Sequence, residues 1–377
     1  MKIKVLLIQR RMTNYRVPFF EILKKTMALK GLELIVAYGD PTIEESKKND
    51  SGSLEWGIKL KTKYMLDGKV CWQPFNHLVK DVDVIVITHE NKLLYNLIPQ
   101  WFLNNKRVIL WGHGENLQKE SPDWRDSFKR VTAKKADWWL GYTDMSVPLI
   151  KKSGFPENRI TVLNNTIDTK DFQNNINSVD IGEIYRIRNK YGLIGNNIGI
   201  FIGSLYEEKR LDFLIESSLL IREKITDFEL IIAGNGKLRN FIEQQAEVYP
   251  WIHYVGSVQG VEKATLLSLS KVMLNPGLVG LGILDSFLSA TPMITTDCGL
   301  HSPEVVYLDN FKNGIMATNT VEDFCQAVLD LISDEQLLKH LQKECVLSGQ
   351  KYTLINMAEN FTSGILQAVN QPLYRFA

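Results

Sequence analysis

The chain has 377 residues, of which 45% are hydrophobic and 23% charged, and its 44 Lys and Arg nearly balance its 43 Asp and Glu. This composition excludes a disordered chain, and the length predicts two domains with full hydrophobic cores. No apolar run approaches the ~20 residues that cross a bilayer, and the N-terminal stretch lacks the features of a signal peptide. The four cysteines lie far apart without a CxxC pair, so neither a zinc knuckle nor a disulfide framework is indicated, and a cytoplasmic location is expected.

Charge is unevenly divided along the chain. Residues 1–170 carry 28 Lys and Arg against 19 Asp and Glu, a net charge of +9, and the remainder carries −8. Aromatic residues alternate with the cations in 10–25 and 124–139, which suits an anionic membrane surface. A nucleic-acid partner or a solvated helix face would give a similar pattern. Of these, we expect the membrane surface and no nucleic acid.

Short β-branched runs alternate with amphipathic stretches through the first half of the chain. This order is typical of a doubly wound parallel sheet in an α/β domain. The stretch 18–31 predicts a helix that ends on Gly31. The predicted strands cover 5–9, 32–38, 82–88, 107–112, 137–143 and 160–165.

The alternation restarts after a polar, Asn-rich stretch at 168–197. We therefore predict two Rossmann-like domains, 1–170 and 171–353, that face each other across a cleft lined by the carboxyl ends of both sheets. The final helix, about 354–370, follows the second domain's own elements, and residues 354–377 are expected to pack back on the first domain. The predicted strands of the second domain cover 199–204, 228–234, 252–257, 271–277 and 291–297.

Two common nucleotide motifs are missing. The first predicted strand runs into QRRMTNYR without a Gly-rich turn, which argues against a dinucleotide dehydrogenase, and GNGK at 234–237 is only a fragment of that fingerprint. The sequence has no Walker A motif, so an ATP- or GTP-driven enzyme has no support.

Segments of both domains resemble a known family, and the first to be considered begins at residue 203. The segment GSLYEEKRLDFLIES at 203–217 is similar to a strand, loop and helix of the family 4 nucleotide-sugar glycosyltransferases. The resemblance covers most of the chain and implies the GT-B fold of two Rossmann-like domains. The other matching segments are 228–243, 254–258, 274–277, 284–297 and 301–317 in the second domain, and 111–114 and 134–168 in the first.

The resemblance implies a retaining glycosyltransferase. Such an enzyme would move a hexose from a nucleoside diphosphate sugar to a carbohydrate or lipid-linked acceptor, in the assembly of cell-surface polysaccharide or lipopolysaccharide. In this family no bound metal or other cofactor is required, and the departing phosphate helps to deprotonate the acceptor, so no protein nucleophile is needed. The corresponding location is cytoplasmic, peripheral at the inner face of the cell membrane.

Two adjacent cations follow the first strand of the second domain. A departing diphosphate gains negative charge, which cations and a helix N-terminus stabilise. Lys209 and Arg210 open a helix and are candidates for this role, although surface cations beside Glu207 and Glu208 would look the same. By resemblance, Lys209 is the family's phosphate-binding lysine and a catalytic residue, and Ser204 replaces the family's earlier arginine.

A glycine-rich run, GLVGLG at 277–282, precedes Asp285. The Asp285 carboxylate can accept both ribose hydroxyls of a nucleotide, and by resemblance it stands for the second Glu of the family's Glu, seven residues, Glu motif. The first Glu is replaced by Gly277 or Gly280, depending on the alignment. The small residues can bring backbone N–H groups close to the sugar or phosphates, or simply form a tight turn. The expected donor-binding residues are Ser204, Lys209, Arg210, Val258, Gly280, Leu281, Gly282 and Asp285.

His113, in WGHG, ends a predicted strand of the first domain. It can donate a hydrogen bond to the donor sugar or the β-phosphate, and it resembles the family's cleft histidine, so it is a catalytic candidate; a structural histidine is the alternative. The other histidines lack metal-ligand spacing, and no metal site is predicted. Glu304, in HSPE, matches an acidic position of the family and is expected to support the site from behind.

The loop after the first strand contains Asn14, Tyr15 and Arg16, where the family often has a Gly-rich segment. This bulky, basic loop favours an acceptor that carries phosphate, and the three residues are the acceptor-side candidates. Packing of Tyr15 into the core is the alternative, because VPFF follows directly.

Two other functions stay open. A nucleotide-sugar 2-epimerase shares the two-domain form, but the matched motifs follow the transferase. A degenerate member that binds a sugar nucleotide or a partner transferase without turnover is the non-enzymatic alternative.

Overall fold

The computed structural model describes residues 2–47, 50–90, 92–114 and 130–376. Its chain divides into two compact units, the first formed by Met1–Asp168 with Thr353–Ala377 and the second by Thr169–Tyr352. Each unit is built on a parallel sheet, and the predicted α/β fold class is confirmed.

The first unit contains a seven-stranded sheet whose strand order is β3-β2-β1-β6-β7-β8-β9, with every neighbouring pair parallel. Its central strands are buried on both faces, which explains their continuous apolar sequences. A separate antiparallel pair is formed by β4 and β5. The strands are β1 Ile3–Arg11, β2 Leu32–Gly39, β3 Ile58–Lys59, β4 Lys63–Met65, β5 Val70–Trp72, β6 Val84–Thr88, β7 Arg107–Gly112, β8 Trp138–Gly141 and β9 Ile160–Val162.

The helices of the first unit include one from the far end of the sequence. The C-terminal helix, Leu354–Asn370, begins after Thr353, whose side chain accepts the Asn356 N–H, and it packs on the first helix of the chain. Phe19, Trp111 and Phe361 meet between them, with ring centroids 5.3 to 5.9 Å apart. The other helices of this unit that lie wholly within the described residues are α1 Val17–Leu29, α2 Ile43–Ser46, α3 Asn76–Val79, α4 Leu97–Phe102 and α5 Ser146–Lys152, with 3₁₀ turns at Asn14–Arg16, Leu94–Asn96 and Glu157–Arg159.

The second unit contains a six-stranded parallel sheet in the order β12-β11-β10-β13-β14-β15. Its core is formed by side chains of these strands and of the helices that cover them. The strands are β10 Asn197–Ile202, β11 Phe228–Ala233, β12 Ile252–Gly256, β13 Val272–Leu274, β14 Met293–Thr296 and β15 Gly314–Ala317.

The Asn-rich stretch that the sequence marks only as a polar boundary forms two helices. The Asp180 side chain accepts the Glu183 N–H at 2.8 Å and starts the second of them, and Gly192, with φ of 67°, ends it. The helices of this unit are α6 Lys170–Asn177, α7 Ile181–Tyr191, α8 Leu211–Lys224, α9 Arg239–Val248, α10 Gly260–Leu269, α11 Ile283–Leu288, α12 Val321–Ser333 and α13 Glu335–Lys351, with 3₁₀ turns at Glu207–Lys209 and Pro303–Tyr307. Among the described residues, no helix has both the length and the apolarity to span a membrane.

Candidate active site

The winding of the second unit marks where a ligand is expected. Strand β10 lies between β11 and β13; the chain winds outward from β10 to β12 and then returns to β13 on the other side. Parallel α/β sheets bind ligands beyond the carboxyl ends of the strands at such a switch point. The loops that flank it are 203–210, after β10, and 275–282, after β13.

Lys209 joins these two loops. Its side chain is 9% exposed, and Nζ donates a hydrogen bond to the carbonyl of Leu278. The backbone makes a second link, because the Leu278 N–H donates to the carbonyl of Glu208 at 2.8 Å. Burial lowers the pKa of Lys209 to about 8. The structure therefore places a desolvated amine at the switch point, where a bound anion would favour its charged form.

Arg210 is held by the protein on several sides. Its backbone has a φ of 55°, and it directly precedes α8. Nη1 donates to the carbonyl of Pro276 at 3.4 Å, to Oγ1 of Thr296 at 3.3 Å and to the side chain of Asn319, while the guanidinium lies 4.3 Å from the ring centroid of Phe213. Arg210 thus ties the loop after β10 to the ends of β13 and β14.

Ser204 and Val258 line one groove at the carboxyl ends of β10, β11 and β12. Its volume is about 280 Å³, and Ser204 is exposed. The other lining residues are Ile202, Gly203, Ala233, Gly234, Asn235 and Ser257.

The GNGK fragment has a packing function that its sequence alone did not reveal. A Cβ on Gly234, whose φ is 147°, would lie 1.8 Å from the carbonyl oxygen of Gly203, and one on Gly236 would lie 2.3 Å from that of Leu205. Both glycines therefore allow the loops after β10 and β11 to approach each other closely.

The glycine-rich loop 277–282 is fixed by His301, for which the sequence analysis predicted neither a metal-binding nor a donor-binding role. Nδ1 of His301 accepts the Val279 N–H at 3.1 Å, and Nε2 lies 2.7 Å from the carbonyl oxygen of Thr296. Gly277 is required by its neighbours, because a Cβ there would lie 2.3 Å from the carbonyl oxygen of Glu208. The rest of the predicted donor loop, Gly280, Leu281 and Gly282, is partly exposed and leads into α11.

Asp285 has a cationic partner that the sequence interpretation missed. It lies in the first turn of α11, and Oδ1 accepts a hydrogen bond from Nζ of Lys263 at 2.7 Å. Burial raises the pKa of Asp285, and Lys263 opposes this shift. The Lys263 ammonium also lies 4.5 Å from the ring centroid of Phe172. Lys263 therefore already occupies one carboxylate oxygen of Asp285, the residue expected to bind the ribose.

Glu304 is 4% exposed and lies in the 3₁₀ turn Pro303–Tyr307. That turn is joined to the glycine-rich loop, because the Ser302 N–H donates to the carbonyl of Val279 at 2.9 Å. Because Glu304 is buried, its carboxyl group is better placed to support the loop than to contact a ligand.

In the first unit, the turn Asn14–Arg16 also lies at a switch point, since β1 is flanked by β2 and β6. The basic residue of this turn is buried: Arg16 is 8% exposed, and its Nη2 donates to Oδ1 of Asn165 at 2.9 Å. The Arg16 guanidinium lies 5.3 Å from the ring of Trp111, so an amide and aromatic faces hold the charge inside. Asn14 and Tyr15 are exposed, and the core packing considered for Tyr15 does not occur.

His113 follows β7 and is partly exposed. Its ring meets that of Tyr142 edge-on, with centroids 4.1 Å apart, and Tyr142 also lies 5.8 Å from the Arg16 guanidinium. The catalytic candidate His113 and the acceptor-side candidate Arg16 therefore contact the same tyrosine. Residues 115–129, which include part of the basic and aromatic segment 124–139, lie outside the described residues.

No group of three or more His, Cys, Asp or Glu side chains in the described ranges is arranged to hold a metal ion.

Part of the second unit matches a known protein family. Residues 196–334 match the family of group 1 glycosyl transferases. This segment contains β10 to β15 together with Lys209, His301 and Asp285. A search of curated protein sequences finds no match.

Several solved structures are similar over nearly the whole chain. The Anabaena HepE protein in complex with UDP has a TM-score of 0.71 at 12% identity, covering 97% of this chain and 100% of that one. A glycosyltransferase from Rickettsia africae has a TM-score of 0.71 at 14% identity, covering 98% and 100%. A putative UDP-N-acetylglucosamine 2-epimerase from Listeria monocytogenes has a TM-score of 0.63 at 15% identity, covering 97% and 96%. At these identities the likeness shows the fold, which is GT-B with two Rossmann-like domains.

Proposed function

We propose that the chain is a retaining glycosyltransferase of family 4 that moves a hexose from a nucleoside diphosphate sugar to a carbohydrate or lipid-linked acceptor. One observation carries the proposal: the segment that matches group 1 glycosyl transferases brings Lys209 and the loop 277–282 together at the switch point of its sheet. The similar HepE structure was solved with UDP, which is the product such a donor would leave.

The residues at the switch point suit a departing diphosphate. As the bond between the anomeric carbon and the diphosphate oxygen breaks, negative charge grows on that oxygen, and the Lys209 ammonium and the N–H groups of Gly280, Leu281 and Gly282 would stabilise it. The acceptor oxygen forms the new bond on the same face of the sugar, and its proton passes to the leaving phosphate. This route needs neither a protein nucleophile nor a metal ion.

The remaining contacts divide between nucleotide and sugar. Asp285 would accept the ribose hydroxyls with the oxygen that Lys263 leaves available, and the groove beside Ser204 and Val258 would receive another part of the donor. Arg210 holds the loops at the donor site, and we assign it a positioning role. In the first unit, His113 would orient the transferred sugar, and the exposed Asn14 and Tyr15 would meet the acceptor, while Arg16 supports their turn from inside.

The net charge of +9 on residues 1–170 supports a cytoplasmic protein that is peripheral on an anionic membrane surface. There, lipid-linked acceptors for cell-surface polysaccharide or lipopolysaccharide would be available.

The experiment is a thermal-shift panel of UDP, GDP, CMP and dTDP sugars, followed by transfer assays with the donor that binds. A ligand at 100 times its Kd stabilises by ~2.7 kcal/mol. We expect one nucleotide class to raise the Tm, and Lys209→Ala to lower transfer by ~10²–10³. Absence of binding by every nucleotide sugar would overturn the proposal, and binding without transfer would favour the degenerate member.

The epimerase stays the second candidate because an epimerase is among the structures of similar fold. Incubation with the donor alone separates the two functions. An epimerase inverts the configuration at C2 of the donor sugar without an acceptor. The proposed transferase does not change that configuration, even where some donor is hydrolysed.

A further inference from the structure

A second candidate site lies in the first unit, at the other end of its sheet from His113 and the turn Asn14–Arg16. It is a cavity of about 470 Å³ beside the segments that enter β8 and β9, and the end of the chain closes one side. We call it the basic cavity. Its lining residues are Arg130, Val131, Lys134, Lys135, Lys152, Ser153, Tyr374 and Arg375.

The basic cavity concentrates positive charge. Among the described residues that line it, five of eight are Lys or Arg and none is Asp or Glu. In the described part of the chain, no carboxylate forms an ion pair with Lys134 or Lys152, whereas the adjacent Lys151 pairs with Glu157 at 2.5 Å. Like charges around one cavity repel each other, so a bound anion would stabilise this arrangement.

The wall of the cavity is fixed from behind. Arg375 is fully buried, its Nη1 lies 3.3 Å from Oδ2 of Asp137, and its Nη2 donates to the carbonyl of Lys106 at 2.6 Å. The Tyr374 N–H donates to Oδ1 of the same Asp137 at 2.8 Å. Asp137 thus neutralises the charge of Arg375 inside the fold. The backbone carbonyl of Arg375 accepts a hydrogen bond from Nζ of Lys135 at 3.4 Å, and this contact holds Lys135 at the rim of the cavity.

Lys134 is positioned by the end of α5. A Cβ on Gly154, whose φ is 87°, would lie 3.0 Å from its Nζ, so the ammonium lies directly over the turn that follows this helix. The last carbonyl groups of a helix favour a cation there. Lys152, in the last turn of the same helix, lines the cavity from the adjacent side.

We infer that the basic cavity binds a phosphate group. The ammonium groups of Lys134, Lys135 and Lys152 around one cavity match the charge and the many acceptor oxygens of a phosphate. The group could belong to a lipid headgroup or to a soluble phosphate compound. Val131, which is 56% exposed, lines the cavity, and Leu373 and Phe376 in the neighbouring chain end are 37% and 46% exposed. These apolar side chains are compatible with a lipid source.

This inference goes beyond the proposed function, because the proposed donor-binding residues are in the other unit. The variant that tests it is Lys134→Gln with Lys152→Gln, which removes two charges and keeps most of each side chain. Lys30→Gln with Lys61→Gln is the matched control, because both lysines are exposed in the same unit and neither lines the basic cavity.

Binding of inorganic phosphate is measured by calorimetry with UDP present to occupy the proposed donor site, and binding to phosphatidylcholine vesicles with and without phosphatidic acid is measured by sedimentation, for all three proteins at one salt concentration. We expect the cavity variant to bind the phosphate probe about tenfold or more weakly than wild type, with the control unchanged. Loss in both arms identifies a general phosphate site, loss in the calorimetric arm alone a site for soluble phosphate, and loss in the vesicle arm alone a lipid headgroup site. Equal binding by the cavity variant and the control, or no binding by wild type in either arm, overturns the inference.

A UDP thermal shift on the same three proteins separates the two proposals. Retained UDP binding in the cavity variant shows that it folds and that the donor site is elsewhere. Absent UDP binding by wild type together with a phosphate response would leave the basic cavity standing and count against the proposed glycosyl transfer.

Discussion

His301 and Val279 are joined by a buried hydrogen bond that fixes the glycine-rich loop: Nδ1 of the imidazole accepts the Val279 N–H at 3.1 Å. Because Nδ1 is the acceptor, the proton of the neutral ring belongs on Nε2, which lies 2.7 Å from the carbonyl oxygen of Thr296. One side chain therefore links the loop after β13 to the end of β14. The loop that is proposed to meet the donor phosphates owes its shape to a residue outside it.

Replacing His301 by Leu should loosen this loop. The substitution leaves the Val279 N–H and the Thr296 carbonyl without their partner, and each buried unsatisfied group costs about 1–3 kcal/mol. We expect a lower free energy of unfolding in urea and weaker nucleotide binding. His340→Leu is the control, because His340 is exposed. If both variants unfold at the same urea concentration and bind nucleotide equally, His301 does not fix the loop.

Lys209 should make nucleotide binding depend on pH in the alkaline range. Its pKa is lowered to about 8 by burial, so in the free protein the ammonium is fully charged well below pH 8 and loses its proton as the pH rises through that value. A bound diphosphate favours the charged form and raises this pKa. Affinity should therefore fall as the pH rises through about 8, and binding near pH 8 should take up protons.

Calorimetry in two buffers of different ionisation enthalpy measures that proton uptake. Lys209→Arg is the informative comparison, because a guanidinium stays charged over this range. We expect its binding to lack the proton uptake seen with wild type. The same uptake in Lys209→Arg and wild type would assign the titration to another group.

The pair formed by Lys263 and Asp285 should control nucleotide binding at acidic pH. Lys263 counters the rise in the pKa of Asp285 that burial causes, so Lys263→Met should raise this pKa further. An ionised carboxylate accepts ribose hydroxyls more strongly than a neutral carboxyl group does, so binding weakens as the pH falls through the pKa. We expect the loss to begin at a higher pH in Lys263→Met than in wild type.

Asp285→Asn completes the test of this pair. Ribose contacts do not change during transfer, so KM should rise more than kcat falls. In the double variant, Lys263→Met should add little to the effect of Asp285→Asn, because its partner is already neutral. Fully additive losses, or a free nucleotide that binds Asp285→Asn with wild-type affinity, would contradict the ribose role.

The sequence predicted the central strands of both sheets, because they are buried on both faces and form continuous apolar runs, as in β6 and β11. It missed the edge strands β3 and β15 and the separate pair β4 and β5, which are all short. It also marked Lys209 and Asp285, since both match family positions. Their partners could not be predicted, because Leu278 contributes only a backbone carbonyl and Lys263 lies in a separate helix. Arg16 shows the same limit: the Asn165 that accepts its hydrogen bond is 149 residues away in sequence, so burial of this cation depends on the finished sheet.

His113 should affect transfer more than nucleotide binding. It lies at the carboxyl end of β7 in the first unit, whereas the proposed nucleotide contacts are in the second unit. If it orients the transferred sugar, His113→Ala should leave the Kd of the nucleotide unchanged and lower kcat by ~10²-fold, since a lost polar contact to the transition state has an effect of this order.

The alternative is that His113 has only a structural role, through its edge-on contact with Tyr142 at 4.1 Å between ring centroids. In that case His113→Ala would lower the Tm, and the protein that remains folded would transfer at the normal rate. His77→Ala is the control, because His77 is exposed in the same unit. The comparison uses initial rates at saturating donor, well below the Tm of each variant, so that loss of fold and loss of chemistry are measured separately. A rate equal to that of His77→Ala would remove His113 from the proposed mechanism.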